Sequence, residues 1–236
     1  LEGGYKDGLF IKSDDGLYYL KTNFHLQFQH QFLWVQGGGK TNSFQVRRGR
    51  IYFSGNALVE NLTYLFQFEF VGGQTNNVSE AVAFTAPNLR DGYVNYDFGN
   101  GIQIKAGQFK PPFNFEELNG DTNLQFIDRS ISNDAFSFNR DMGVALHGRL
   151  LEKKLGYALF VMNEGTNQNI ANNNNEMLFG GRAVWNFLGD HGYGTGDPEE
   201  SEEPHLMAGT AVTFNRVGAP AAADSSVIAA TTDVAF

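Results

Sequence analysis

Between positions 20 and 34 the chain alternates. Leu20, Phe24, Leu26, Phe28, Phe32 and Trp34 share one parity, while Lys21, Asn23, His25, Gln27, Gln29 and Gln31 share the other. Successive strand residues point to opposite faces, so the pattern predicts a strand with one apolar and one polar face. A hairpin turn at 58–60 keeps both faces in character: Ile51 then opposes Phe68, Phe53 opposes Phe66 and Gly55 opposes Tyr64, with Arg50 opposite Glu69 and Tyr52 opposite Gln67. Around Gly99-Asn100-Gly101, a strong hairpin signal, Phe98 opposes Ile102 and Tyr96 opposes Ile104. Across 151–154, Leu150 opposes Leu155, Leu146 opposes Leu159 and Val144 opposes Val161.

Segments 179–188 and 206–215 continue the alternation, and 231–236 reads as the start of a further strand. The total is about nine full strands of roughly ten residues, a length that crosses a bilayer at barrel tilt. Residues 5–17 read as a small hairpin with a Ser-Asp-Asp-Gly turn. The turns after the second, fourth and sixth strands are short, whereas the connections 72–88, 111–140 and 164–176 are long. Such asymmetry is expected of outer-membrane barrels, and the connector 189–204 is its exception. Trp34 and Phe70 end strands toward the long connections, while Tyr96, Phe98, Trp185 and Phe187 lie near the short turns, like two interfacial girdles. A soluble sandwich alternates too, with its polar face in water, and bulky aromatics favour strands of any kind. Strand length, loop asymmetry and girdles favour a transmembrane antiparallel β-barrel.

The longest connection, 111–140, is the stretch around which the chain is organised. It is too long for an ordinary turn, and Phe113, Phe115, Leu118, Leu124, Phe126, Ile127, Ile131, Phe136 and Phe138 argue for burial over disorder. It is expected to fold back into the mouth of the barrel and narrow it.

Composition adds exclusions. Cysteine is absent, which removes disulfide staples and thiol catalysis. No run approaches the eighteen apolar residues of a membrane helix, and no signal peptide is visible, so the chain reads as mature or trimmed. The net charge of −9 is misleading as a guide to the strand faces, because Asp190, Asp197, Glu199, Glu200, Glu202 and Glu203 crowd one Gly-rich connector. On the polar parity stand Arg48, Arg50, Lys105, Arg149 and Arg182, with Tyr52 and Tyr93 beside them. Lys110, Arg129 and Arg140 mark the start, middle and end of the long loop. Inward charges also knit barrel walls together; Arg50 is expected to pair with Glu69, and Asp91 and Asp97 share that face. The five histidines show no metal-ligand spacing, Glu116-Glu117 has no acid-base context, no nucleotide-type Gly loop occurs, and the Asn-rich stretch 163–175 reads as an exposed loop.

RRGRIYFSG from Arg47, LRDGYVNYDFGNGIQIKAGQFKPPFNFEEL from Leu89, FIDRS from Phe126, NRDMGVALHG from Asn139 and LGYALF from Leu155 resemble the phosphate-selective porin O and P family. The resemblance implies an outer-membrane barrel of about sixteen strands, assembled as a homotrimer in a Gram-negative bacterium, with the third long loop as constriction. On that reading 1–19 is a periplasmic lead-in, 20–236 holds the first nine to ten strands, and 111–140 is the constriction; a closed ten-stranded barrel is the alternative. The implied function is passive conduction of small solutes with modest preference for anions such as phosphate. Arg47, Arg48, Tyr52 and Lys110 match positions on which the family builds its anion pathway. Membrane lipid and small anions are the expected partners, with no catalysis, cofactor, metal or nucleic acid. Competing readings are a plugged, partner-binding barrel and a soluble carbohydrate-binding sandwich.

Overall fold

Alternation becomes pairing residue by residue in the computed structural model, which describes residues 1–71, 87–163, 176–193, 202–217 and 225–235. Twelve antiparallel strands follow one another in sequence order through one sheet. They are β1 (Glu2–Tyr5), β2 (Leu9–Lys12), β3 (Tyr19–Trp34), β4 (Lys40–Ala57), β5 (Val59–Glu69), β6 (Asn88–Gly99), β7 (Ile102–Phe109), β8 (Asp141–Leu150), β9 (Leu155–Met162), β10 (Leu178–Leu188), β11 (Leu206–Val217) and β12 (Ser225–Ala235). The sheet is open among the described residues, with β1 and β12 at its edges. No described helix is long and apolar enough to cross a membrane, which leaves crossing by strands untouched.

Twelve strands exceed the nine to ten expected, because the opening hairpin joins the sheet: Leu9 to Lys12 pair with Thr22 to Tyr19. The last strand also starts earlier than its sequence suggested, at Ser225, where small residues blur the alternation. The expected connections 72–88 and 164–176, the Asn-rich 163–175 and much of the acidic connector lie largely outside the described residues.

The chain divides into two units, Leu1–Gly92 and Tyr93–Phe236. In the first, the β4–β5 register has every pair expected, from Arg50 opposite Glu69 to Gly55 opposite Tyr64. Strand β4 hides a β-bulge: Gln27 pairs with Arg48 but Phe28 pairs with Val46, so Arg47 is the extra residue. The bulge turns the strand over, moving its polar parity from Gln45 to Arg48 and Arg50. In the second unit the β8–β9 register is also as expected, with Val144 opposite Val161, Leu146 opposite Leu159 and Leu150 opposite Leu155.

Burial is inverted relative to a protein dissolved in water. Phe24 is 83 % exposed and Leu26 and Phe28 nearly as open, while Arg48 and Arg50 retain 8 % and 7 %. In the second unit Val144, Leu146, Leu159 and Phe179 are exposed, and Gln108, Arg182, Asn186 and Thr213 are buried. Leaving that many large apolar side chains in water would be unfavourable by ~1.5–3 kcal/mol each, so the open face is suited to hydrocarbon.

One apolar core lies on the polar parity. Phe109, Ala145, Phe160, Met162 and Leu178 cluster there with Tyr93 and Phe138 packed against them. Gly180 makes room for it: a Cβ there would sit 2.2 Å from the Phe160 ring. Residues 155–162, LGYALFVM, are apolar on both parities: Phe160 and Met162 fill this core while Leu159 and Val161 stay exposed on the other face.

Candidate functional site

The long loop carries short helices that its periodicity did not reveal. Asn114 caps α1 (Phe115–Leu118), its side-chain oxygen accepting from the Glu116 and Glu117 amides at 2.9 and 3.4 Å. Ser130 caps α2 (Ile131–Phe136) by accepting from the Asn133 amide at 3.1 Å, and a 3-10 turn, Asp121–Asn123, lies between them. Glu116 ties the two helices together, accepting from the Ser130 amide at 2.6 Å and its hydroxyl at 2.5 Å.

Burial within the loop departs from expectation. Phe113 is buried and stacks edge-on against Phe138 at 5.0 Å, but Phe126, Ile127, Ile131 and Phe136 are exposed, Ile131 to 89 %. For Ile131 and Phe136 the reason lies in α2, which turns Asn133 inward instead, to donate to the Glu117 carboxylate at 3.0 Å. Turned inward, Asn133 supplies the buried carboxylate with a donor that an apolar side chain could not, while its own Oδ1 stays buried without a hydrogen-bond partner among the described residues.

Glu117 is the centre of the loop. Arg129 Nε, Arg140 Nη1 and Lys110 Nζ lie 3.5, 3.7 and 3.9 Å from its carboxylate. Arg129 also reaches Asp121 at 2.9 Å and donates to the Glu116 and Asn119 carbonyls at 3.0 and 2.6 Å. Lys110 donates to the carbonyls of Glu117 and, at 3.0 Å, Asn119. Three residues about ten to thirty positions apart in sequence thus meet around one carboxylate, each from a different motif: KPPF, FIDRS and NRDMG. Burial, followed by the nearby charges of Arg140 and Arg129, lowers the Lys110 ammonium from its ordinary value to about 7.

The other basic residues of the second unit have different surroundings. Lys105 places its ammonium 4.5 Å from the Tyr93 ring centre and 5.3 Å from that of Phe109. Arg149, at the short-turn end of β8, pairs with Asp190. Arg182 donates to both Asp233 oxygens at 3.0 and 2.6 Å, and to the Phe113 carbonyl at 2.7 Å. It therefore fastens the loop to β10 and β12. Beside Lys105, Asn95 donates to Gln103 at 2.9 Å and meets His147 at 2.8 Å.

In the first unit Arg48 donates to Gln27 and Arg50 pairs with Glu69, as expected, while Glu69 also accepts from the Gly49 amide at 2.9 Å. The Tyr52 hydroxyl accepts from Gln67 at 3.2 Å, and Arg47 occupies the bulge. Arg47, Arg48, Arg50 and Tyr52 are thus together in one unit, and Tyr93, Lys105, Lys110, Arg129, Arg140, Arg149 and Arg182 in the other.

Sequence reasoning passed over Glu117, Asp121, Asn133, Asp233 and Tyr193. Only the Asn114 and Ser130 caps, each a polar residue opening a short helix, left a local trace. Among the described residues no group of histidines, aspartates and glutamates could hold a metal ion. What the arrangement offers is a polar sheet face carrying cationic side chains, a cross-linked loop, and an exposed apolar face. No curated protein matches the chain. The model of a porin family, described as phosphate-selective porin O and P, matches residues 19–200. With well over half the sequence matched and an all-β antiparallel sheet to go with it, the chain belongs to the phosphate-selective porin O and P family, whose members are outer-membrane porins.

Proposed function

We propose that the protein is a passive outer-membrane porin that conducts small solutes with modest preference for anions such as phosphate. The observation that carries this reading is the inverted burial, with arginines tucked on the polar face and phenylalanines bare on the other. Lipid on the apolar side leaves the polar side to enclose water, the arrangement of a transmembrane barrel. Arg47, Arg48, Arg50, Tyr52, Tyr93, Lys105 and Arg149 then line the water-filled pathway, and the loop 111–140 narrows it with Lys110, Arg129 and Arg140 at its rim. Arg182 acts behind the loop, holding it to the wall. The first nineteen residues lead into the barrel from the periplasm, and three copies assemble in a Gram-negative outer membrane.

Reversal potentials in a salt gradient, measured in planar bilayers, test the reading. Anion preference is expected, and Glu69→Gln should raise it, because Arg50 then keeps its charge without the carboxylate that offsets it. Cation preference in the wild type, or no current at all, would overturn the proposal.

A further inference from the structure

The connector after β10 does not stay at the end of the sheet where it begins. Leu188 closes β10 at the short-turn end, where Asn186 bonds the Lys153 carbonyl at 3.1 Å and its own amide donates to that of Lys154 at 2.8 Å. Arg182 lies six positions before that end, about 20 Å along the strand. Yet the Tyr193 hydroxyl, five residues past the end, sits 3.4 Å from Arg182 Nε, and the Tyr193 ring centre lies 5.8 Å from its guanidinium. The chain must therefore double back over the polar face of β10. Gly189 and Gly192, at φ 59° and 65°, supply left-handed backbone on either side of Asp190 and His191, and the Asp190–Arg149 pair pins the bend.

The returning segment ends against the loop that comes from the opposite end of the strands. Phe115 of α1 lies 6.0 Å from the His191 ring and 5.6 Å from the Tyr193 ring. Arg182 touches both partners, bonding Tyr193 and the Phe113 carbonyl. The contacts of Phe115 with His191 and Tyr193, and the Tyr193 ring against Arg182, thus join an element entering from the long-loop end to one entering from the short-turn end.

We propose that residues 189–193 form a second narrowing element, with His191 and Tyr193 reaching from the periplasmic side to meet Phe115. The solute path is then restricted by two segments from opposite ends, and Arg182 positions both. This rests on the porin reading, in which the polar face borders the pathway. It makes Tyr193 a determinant of aperture although it lies outside every strand and outside the loop that carries the basic rim.

The test uses the protein as it exists, and these 236 residues contain no cysteine to compete with introduced thiols. In a Phe115→Cys/Tyr193→Cys double variant, dibromobimane, fluorescent only when both thiols have reacted, should link the two positions in the folded, heat-modifiable form. In planar bilayers Tyr193→Ala should raise single-channel conductance about twofold, because conductance follows the open cross-section at the narrowest point. Tyr193→Phe, which keeps the ring, should conduct as the wild type does. Absence of the cross-link, or equal conductance in wild type and Tyr193→Ala, would overturn the second narrowing while leaving the porin reading in place. Silence in the wild type and every variant would overturn the porin reading itself, and the narrowing with it.

Discussion

Replacing Glu117 by glutamine should release the loop. The substitution keeps an oxygen for Asn133 but removes the charge that faces Arg129, Arg140 and Lys110 within 4 Å. Asp121, 2.9 Å from Arg129, keeps its charge beside them. Removing one partner of a buried ion pair costs about 3–5 kcal/mol, since the remaining charges stay buried without compensation. Each 1.4 kcal/mol is a factor of about ten in an equilibrium constant. The open population should therefore rise by roughly two to three and a half orders of magnitude. Trypsin reads that population at Arg129. Its side chain is buried in the closed loop and is followed by Ser130, whereas Lys110 precedes a proline that blocks cleavage. Where closing outpaces cleavage, the cutting rate follows the open fraction. Glu116→Gln is the control: its carboxylate binds only exposed Ser130 groups, so an increase of about tenfold is expected. Equal cutting of Glu117→Gln and wild type, or an equal acceleration by both variants, would refute the reasoning.

Two further outcomes follow from the same geometry. Lys110, lowered to about 7 by burial and by Arg140 and Arg129, binds its proton less tightly in the closed loop than in the unfolded chain, where 10.5 applies. Between those values the unfolded state holds more protons, so loop stability should rise with pH above about 7, by at most about 1.4 kcal/mol per unit, and stay flat below. Cleavage at Arg129, normalised to a peptide substrate at each pH, should slow accordingly, and Lys110→Met should remove the trend. On the wall, Leu146→Arg, which turns a charge toward lipid, should cost about 2–4 kcal/mol in urea titrations of vesicle-folded protein, while Gln103→Arg on the opposite parity should cost less than about 1.

Where a strand meets the same surroundings along its length, the sequence is legible. Side-chain period and turn position settled the β4–β5 and β8–β9 registers pair by pair, and with them the Arg50–Glu69 contact. The bulge at Arg47 escaped because Arg47 and Arg48 are both polar, and a parity change between two polar residues leaves no mark. The loop escaped for a different reason. Residues 110, 117, 129 and 140 meet through tertiary contacts that no local period encodes, and the pair Glu116-Glu117, unremarkable for acid-base chemistry, proved to fasten both helices. Ile131 and Phe136 were expected inside on hydrophobicity alone, but a six-residue helix has one inner side, and Asn133 occupies it.

The extra residue in β4 also says where this wall can change length. Val46 and Arg48 pair with neighbouring positions on β3, so excising Arg47 would leave both flanks with the partners and orientations they already have. Removing a residue outside the Arg47-Arg48 pair would turn one flank's side chains to the wrong face. A one-residue deletion is thus tolerable at the Arg47-Arg48 pair, and what it removes is a positive charge.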